Sequence, residues 1–129
     1  MQVLELTFHA THAYLIAQSA TKPGHFDRYQ LTGGQVSGPT PWRFTKADAH
    51  QRSKALFTLA DIDFTVVPRI RRDALDALPF EDAEVSSIAL SRFLPSEREV
   101  RWRVNVRGNE QSGSVDYSLQ GARGQISAD

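Results

Sequence analysis

Leu4, Leu6 and Phe8 alternate with Glu5, Thr7 and His9, the two-residue period of a strand with one buried face. Residues 13–19 (AYLIAQS) make a second strand-like run, and Lys22-Pro23-Gly24 supplies a turn before a third at residues 26–31. Gly33-Gly34, Gly38-Pro39 and Pro41 then read as a break in regular structure. The middle third changes period. Thr45 is placed to cap a helix running to Lys54 or Leu56, with Asp48 near the positive end of its dipole. Thr65 is placed to cap a second helix, in which Val67, Ile70, Ala74 and Leu78 recur at three- and four-residue steps. Pro68 falls in its first turn and Pro79 ends it. Arg69, Arg72, Asp73 and Asp76 fall on its wet side, Arg72 and Asp76 forming an i,i+4 pair.

Alternation returns after Pro79. Residues 85–94 read as a strand with a kink, because Val85 and Ile88 break the two-residue step. Val100, Trp102, Val104 and Val106 alternate with Arg101, Arg103, Asn105 and Arg107, and Val115, Tyr117 and Leu119 with Ser114, Asp116, Ser118 and Gln120. A turn centred on Glu110-Gln111 sets Val106 opposite Val115, Val104 opposite Tyr117 and Trp102 opposite Leu119. The whole pattern predicts an α+β fold. It is an antiparallel sheet of about six strands in the order βββ-αα-βββ, with two helices packed on one face.

The two strand-rich ends share a motif. Tyr29-Gln30-Leu31-Thr32-Gly33 and Tyr117-Ser118-Leu119-Gln120-Gly121 both read Tyr-x-Leu-x-Gly, and each leads to Gln, a β-branched residue and Ser, at positions 35–37 and 125–127. The chain reads as a single domain, 1–129, with either two pseudo-repeats, 1–44 and 65–129, joined by a helical segment, or two unrelated strand ends that use the same turn chemistry. The run DALDAL, then AEVSSIAL, VRWRVNV and SGSVDYSLQGARGQI, resembles a PepSY-type domain over residues 65–126, with residues 1–37 as a degenerate copy lacking its leading helix. That resemblance implies a non-enzymatic binding or inhibitory module. It also implies a place outside the cytoplasmic membrane if a leader was removed; otherwise the expectation is cytoplasmic.

Composition narrows the field by exclusion. A chain of 129 residues is one domain's worth, and fifteen basic against fifteen acidic residues leave no net field to gather nucleic acid or an anionic membrane. Twelve of the fifteen basic side chains are Arg, a usage that a GC-rich bacterial genome explains as well as a ligand does. The absence of cysteine excludes disulfides, thiolate metal sites and a Cys nucleophile. No apolar run approaches the ~20 residues of a membrane span, so membrane insertion is not expected.

Little catalytic chemistry is visible. His9 and His12, three apart on a strand, point to opposite faces and cannot share an ion without a bulge, although His25 and Asp27 share a face. Asp61 and Asp63 flank Ile62 between the helices, where aspartates cap or turn the chain. No Gly-Lys-Ser/Thr follows the glycines and no G-x-S-x-G elbow holds a serine. Neither an enzyme, a metal nor a cofactor is expected. The outer face of the late hairpin is the better candidate: Arg101, Arg103 and Arg107, with Asp116 and Ser118 among them, make a polar surface for an acidic or phosphorylated partner. The competing reading is a solvated face on which Asp116, opposite Asn105, balances the arginines. Trp102 and Tyr117 point to the buried side, leaving no aromatics for stacking nucleic acid bases.

The first expectation is a non-enzymatic module that recognises a protein or peptide through this polar face or an edge strand. The second is a small-ligand or hydrolase-like pocket between sheet and helices, lined by Tyr14, Trp42 and Trp102 beside His12 or Asp63. The third is a structural domain that pairs edge strands into a homo-oligomer.

Overall fold

The computed structural model describes residues 2–43, 52–92 and 99–128. Its strands are β1 (Gln2–Phe8), β2 (His12–Gln18), β3 (Phe26–Thr32), β4 (Gln35–Trp42), the two-residue β5 (Phe57–Thr58), β6 (Glu84–Ser91), β7 (Arg101–Arg107), β8 (Ser112–Tyr117) and β9 (Arg123–Ala128). One 11-residue helix, α1 (Val67–Ala77), lies between β5 and β6. The nine strands form one sheet in the order β4-β3-β2-β1-β6-β7-β8-β9, with β5 also paired to β1. Two antiparallel four-stranded meanders thus meet at a central seam.

The expectation of six strands under two helices is overturned. The missed strands β4 and β9 are the two outer edges, and every residue of both is exposed. Alternation is written into a sequence only where one face is buried, so these strands carry no such signal. Gly38, Pro39 and Pro41 lie within β4 because an edge strand has one side that needs no ladder donors. The first expected helix falls largely outside the described residues; of its described part, Arg52 and Ser53 have helical backbone.

The seam is short because β1 divides one edge between two neighbours. Gln2 and Val3 pair with Thr58 and Phe57 of β5, whereas Leu6, Thr7 and Phe8 pair with Leu90, Ala89 and Ile88 of β6. The change of partner coincides with a bulge between Val3 and Glu5. That extra residue turns Leu4 away from the helix side.

The second meander packs under α1. Asp63, not Thr65, starts the helical segment: its carboxylate accepts from the Thr65 N–H at 2.9 Å and opens a 3-10 turn over Phe64–Val66 that runs into α1. Ile70, Ala74 and Leu78 then bury against Trp102, Val104, Val106, Val115 and Tyr117. Trp102 is 0 % exposed, with Phe64 edge-on at 5.9 Å. Its indole Nε1–H has no acceptor among the described residues. An orphaned donor costs about 1–3 kcal/mol, whereas burying a ring of 150–250 Å² gains roughly 4–6 kcal/mol at about 25 cal/mol per Å². Burial wins.

The β7–β8 hairpin has the expected faces but a different register. Trp102 lies opposite Tyr117, Val104 opposite Val115 and Val106 opposite Gly113, a slip of two residues from the sequence expectation. An even slip keeps every apolar side chain inward, so the hydrophobic pattern cannot distinguish the two registers. The turn does: Gly108 N–H donates to the Gln111 carbonyl, and Glu110 adopts a φ of 64°.

Two of the helix residues expected in water instead clamp α1 to the far end of the sheet. Asp73 accepts from the Tyr117 hydroxyl at 2.6 Å and from Arg123 Nε and Nη2 at 2.8 and 2.7 Å. Arg69 donates to the carbonyls of Gln120 and Gly121 at 2.7 and 3.4 Å. Gly121 has a φ of +89°, and a Cβ there would stand 2.3 Å from the Arg69 guanidinium, so the turn needs glycine. The Arg123 hydrogen bonds, then that of Tyr117, hold the Asp73 carboxyl below the usual range. Burial, then the Asp73 bond, pushes the Tyr117 phenol well above its usual range.

A depressed carboxyl stabilises the fold above its unfolded value, about 3.9, and loses that contribution as pH falls through the folded value. Asp73→Asn is therefore expected to flatten the acid limb of a stability–pH profile measured by urea denaturation. Tyr117→Phe is expected to lower stability by about 1–2 kcal/mol at neutral pH; no change in either variant would exclude the clamp.

Candidate functional site

The arginine face of the second meander is internally neutralised. Asp116 lies directly opposite Arg103, not Asn105, and accepts from its Nε and Nη2 at 2.7 and 3.1 Å. This fork-on-fork pair is half covered: Asp116 is 6 % exposed. Asn105 faces Ser114 and donates to Ser87 Oγ at 2.9 Å. Arg107 Nε meets Glu84 Oε1 at 2.7 Å, and Arg101 stands 4.0 Å from Glu99. Ser118 lies beyond the end of β8, where its hydroxyl accepts from the Ala122 N–H and shapes the turn. The five residues expected to grip an acidic partner thus include a saturated ion pair and a turn residue.

The expected pocket residues separate across the sheet. Trp102 is sealed in the core beneath α1. Asp63 caps the segment before α1, with Thr65 holding its carboxyl below the usual range. Tyr14 and Trp42, by contrast, do converge, on the face turned away from α1. They share a hollow of about 380 Å³ with Leu4, Glu5, Ile16, Arg28 and Arg52. Arg28 was not legible as its partner from sequence alone: the guanidinium carbon stands 4.9 Å from the Tyr14 ring centroid and 5.6 Å from that of Trp42.

The three described histidines lie at two ends of the first meander. β1 ends at Phe8, so His9 and His12 occupy the ends of a tight turn, with the His9 N–H donating to the His12 carbonyl at 2.8 Å. Their rings stack at 4.7 Å rather than pointing apart. His25 precedes Phe26, which pairs with Gln18, whereas His12 pairs with Thr32 at the other end of β3. Among the described residues no group of three or more His, Cys, Asp or Glu could hold an ion, and no helix is long and apolar enough to cross a membrane. Asp61, in the 3-10 turn Leu59–Asp61, lies on a cleft of about 620 Å³ with Arg92, Glu99 and Gln120, where β5 and β6 part company along β1.

The two halves of the sheet are covered on opposite faces. In the second half, α1 covers one face. In the first half, Ala55 and Leu56 pack on the other face, over Leu4, Ile16 and Phe26. The α1-side face of the first half consequently stays open toward its edge. There Tyr29 stands opposite Leu15, and Leu31 opposite both Ala13 and Val36. Leu31 is 43 % and Val36 70 % exposed. Tyr29, on the third strand of the first meander, is half-buried, whereas Tyr117, on the third strand of the second, is 1 % exposed under the helix.

Comparison with known proteins returns no match to a family model, a curated protein or a solved structure.

The charge pairs on the arginine face differ in burial, and mutation should separate them. Asp116→Ala removes a forked, half-covered pair of charged hydrogen bonds and is expected to lower stability by about 1–3 kcal/mol. Arg107→Ala, breaking a pair whose side chains are 64 % and 60 % exposed, should change it by less than about 0.5 kcal/mol. Urea midpoints compare the two; equal effects would contradict this division of the face.

Proposed function

We propose that the domain is a non-catalytic binding module whose partner covers the open α1-side face of the first meander. The observation that carries this reading is the unequal treatment of two matching strands. Tyr117 and its neighbours lie under a helix, while Tyr29 is half-buried and Leu31 and Val36 are exposed. An apolar row beside an open sheet edge is the kind of surface that soluble proteins reserve for association. The chain itself supplies the precedent for its occupant: an amphipathic helix with an apolar stripe at three- and four-residue steps, as α1 offers through Ile70, Ala74 and Leu78. The PepSY-type resemblance of residues 65–126 implies the same class of activity, binding without chemistry. The outer arginine face is the weaker candidate because its strongest cation already has its carboxylate.

Display selection against the folded domain tests the proposal, with one library of helix-forming peptides and one of extended peptides. Helical binders with a three-and-four apolar stripe are expected to enrich. Leu31→Asp combined with Val36→Asp should weaken them by at least about tenfold, since each buried aliphatic side chain contributes about 1.5–3 kcal/mol. Enrichment of neither library, or binders indifferent to the double variant, would remove this face as the site.

A further inference from the structure

We propose that the hollow beneath Tyr14 and Trp42 is a binding site for a small aromatic carboxylate, taken by Arg28. It lies on the opposite face from the helix-docking row and does not depend on that reading. Two backbone irregularities build it. In β1 the bulge between Val3 and Glu5 inserts Leu4, so that two successive residues, Leu4 and Glu5, line the same hollow. In β4 the register shifts between the Arg28–Thr40 and Gln30–Ser37 pairs. That extra residue lets Trp42, opposite Phe26, stand on the same face as Arg28; without it the indole would point to the other side. Gly38 sits at the shift with a φ of +106°, and a Cβ there would come 2.7 Å from the Arg28 carbonyl oxygen. Bulges re-aim side chains, and both bulges of the first meander aim into one place.

The lining selects the ligand. Leu4 and Ile16, 5 % and 3 % exposed, make an apolar floor. The Arg28 guanidinium, a fork of N–H donors, stands with its carbon over both the Tyr14 and the Trp42 ring. Among the described residues no carboxylate lies within 4.0 Å of it, and no acceptor engages it. A planar, two-oxygen anion matches that fork, and a flat apolar body matches the rings and floor. With Arg28 and Arg52 against Glu5, the lining carries one net positive charge, which a monoanion matches better than a dianion such as phosphate. At about 380 Å³ the hollow suits a single-ring acid rather than a nucleotide.

Titration of the whole chain with benzoate and 3-phenylpropionate, followed by amide and indole NMR shifts, tests the assignment. The acids should produce saturable shifts at Tyr14, Arg28 and the Trp42 indole, while the buried Trp102 indole stays still and reports an intact fold. Benzamide, the neutral isostere, should bind at least about tenfold more weakly. Arg28→Gln should lose about tenfold or more for benzoate, and Arg28→Lys, a point charge without the fork, should recover only part of it. Should Arg28→Gln disturb the Trp102 indole, the benzamide comparison on the unmodified chain decides alone. Equal binding of benzoate and benzamide, stronger binding of inorganic phosphate, unaltered benzoate affinity in a folded Arg28→Gln, or no saturable shift would each overturn the proposal.

Discussion

A helix of eleven residues is about 16 Å long at 1.5 Å per residue, while eight strands side by side at about 4.8 Å extend over roughly 34 Å. By itself α1 cannot cover such a sheet, and the arrangement of the described residues follows from that mismatch. α1 lies over β6, β7 and β8 and is tied to the β8–β9 turn by Arg69 and Asp73. These clamps fix it at one end, so the helix cannot be centred on the seam. The chain between β4 and α1 must then serve the other half, and it does so from the opposite side, through Ala55 and Leu56. The split edge of β1 is the geometric expression of this arrangement: its start follows β5, and only its end joins the second meander.

Covering the halves on opposite faces leaves two open surfaces of different chemistry. On the second half the open face is charged and needs no cover, because Asp116 and Glu84 neutralise Arg103 and Arg107 within the sheet. On the first half the open face carries half-buried Tyr29 beside exposed Leu31 and Val36, whose apolar surface gains nothing from water. The apolar row is therefore more informative than the arginine row, although the arginines stand out more in the sequence.

The sequence revealed what burial writes into it. The alternation in β1, β7 and β8 exists because those strands each bury a face, and the three-and-four spacing of Ile70, Ala74 and Leu78 exists because one stripe of α1 is buried. Where no face is buried, no alternation was legible: β4 read as a break, and residues 123–128 were given no strand. Hairpin register escaped for a related reason, since inward residues stay inward after a slip of two, and only the backbone at Glu110 fixes the choice. The candidate sites were harder still. Tyr14 and Trp42 were named together, but their meeting with Arg28 depends on a bulge in a strand that has no sequence signature. Arg69 and Asp73 looked like wet helix residues, and their roles required knowing where the β8–β9 turn returns.

The period of a strand also makes the first meander two-sided in a definite way. Along β3, Tyr29 and Leu31 serve the open apolar face, while Arg28 and Gln30 serve the other. Adjacent residues thus belong to separate surfaces that share one backbone. A substitution that changes only a side chain, as at Leu31 or Arg28, acts on one surface. A change that moves the backbone acts on both: loss of the irregularity at Gly38 would turn Trp42 to the face now occupied by Tyr29 and Val36. The hollow around Arg28 and the apolar row are accordingly separable by side-chain mutation and inseparable by register. Selection acting on either surface would hold the bulge of β4 in place for both.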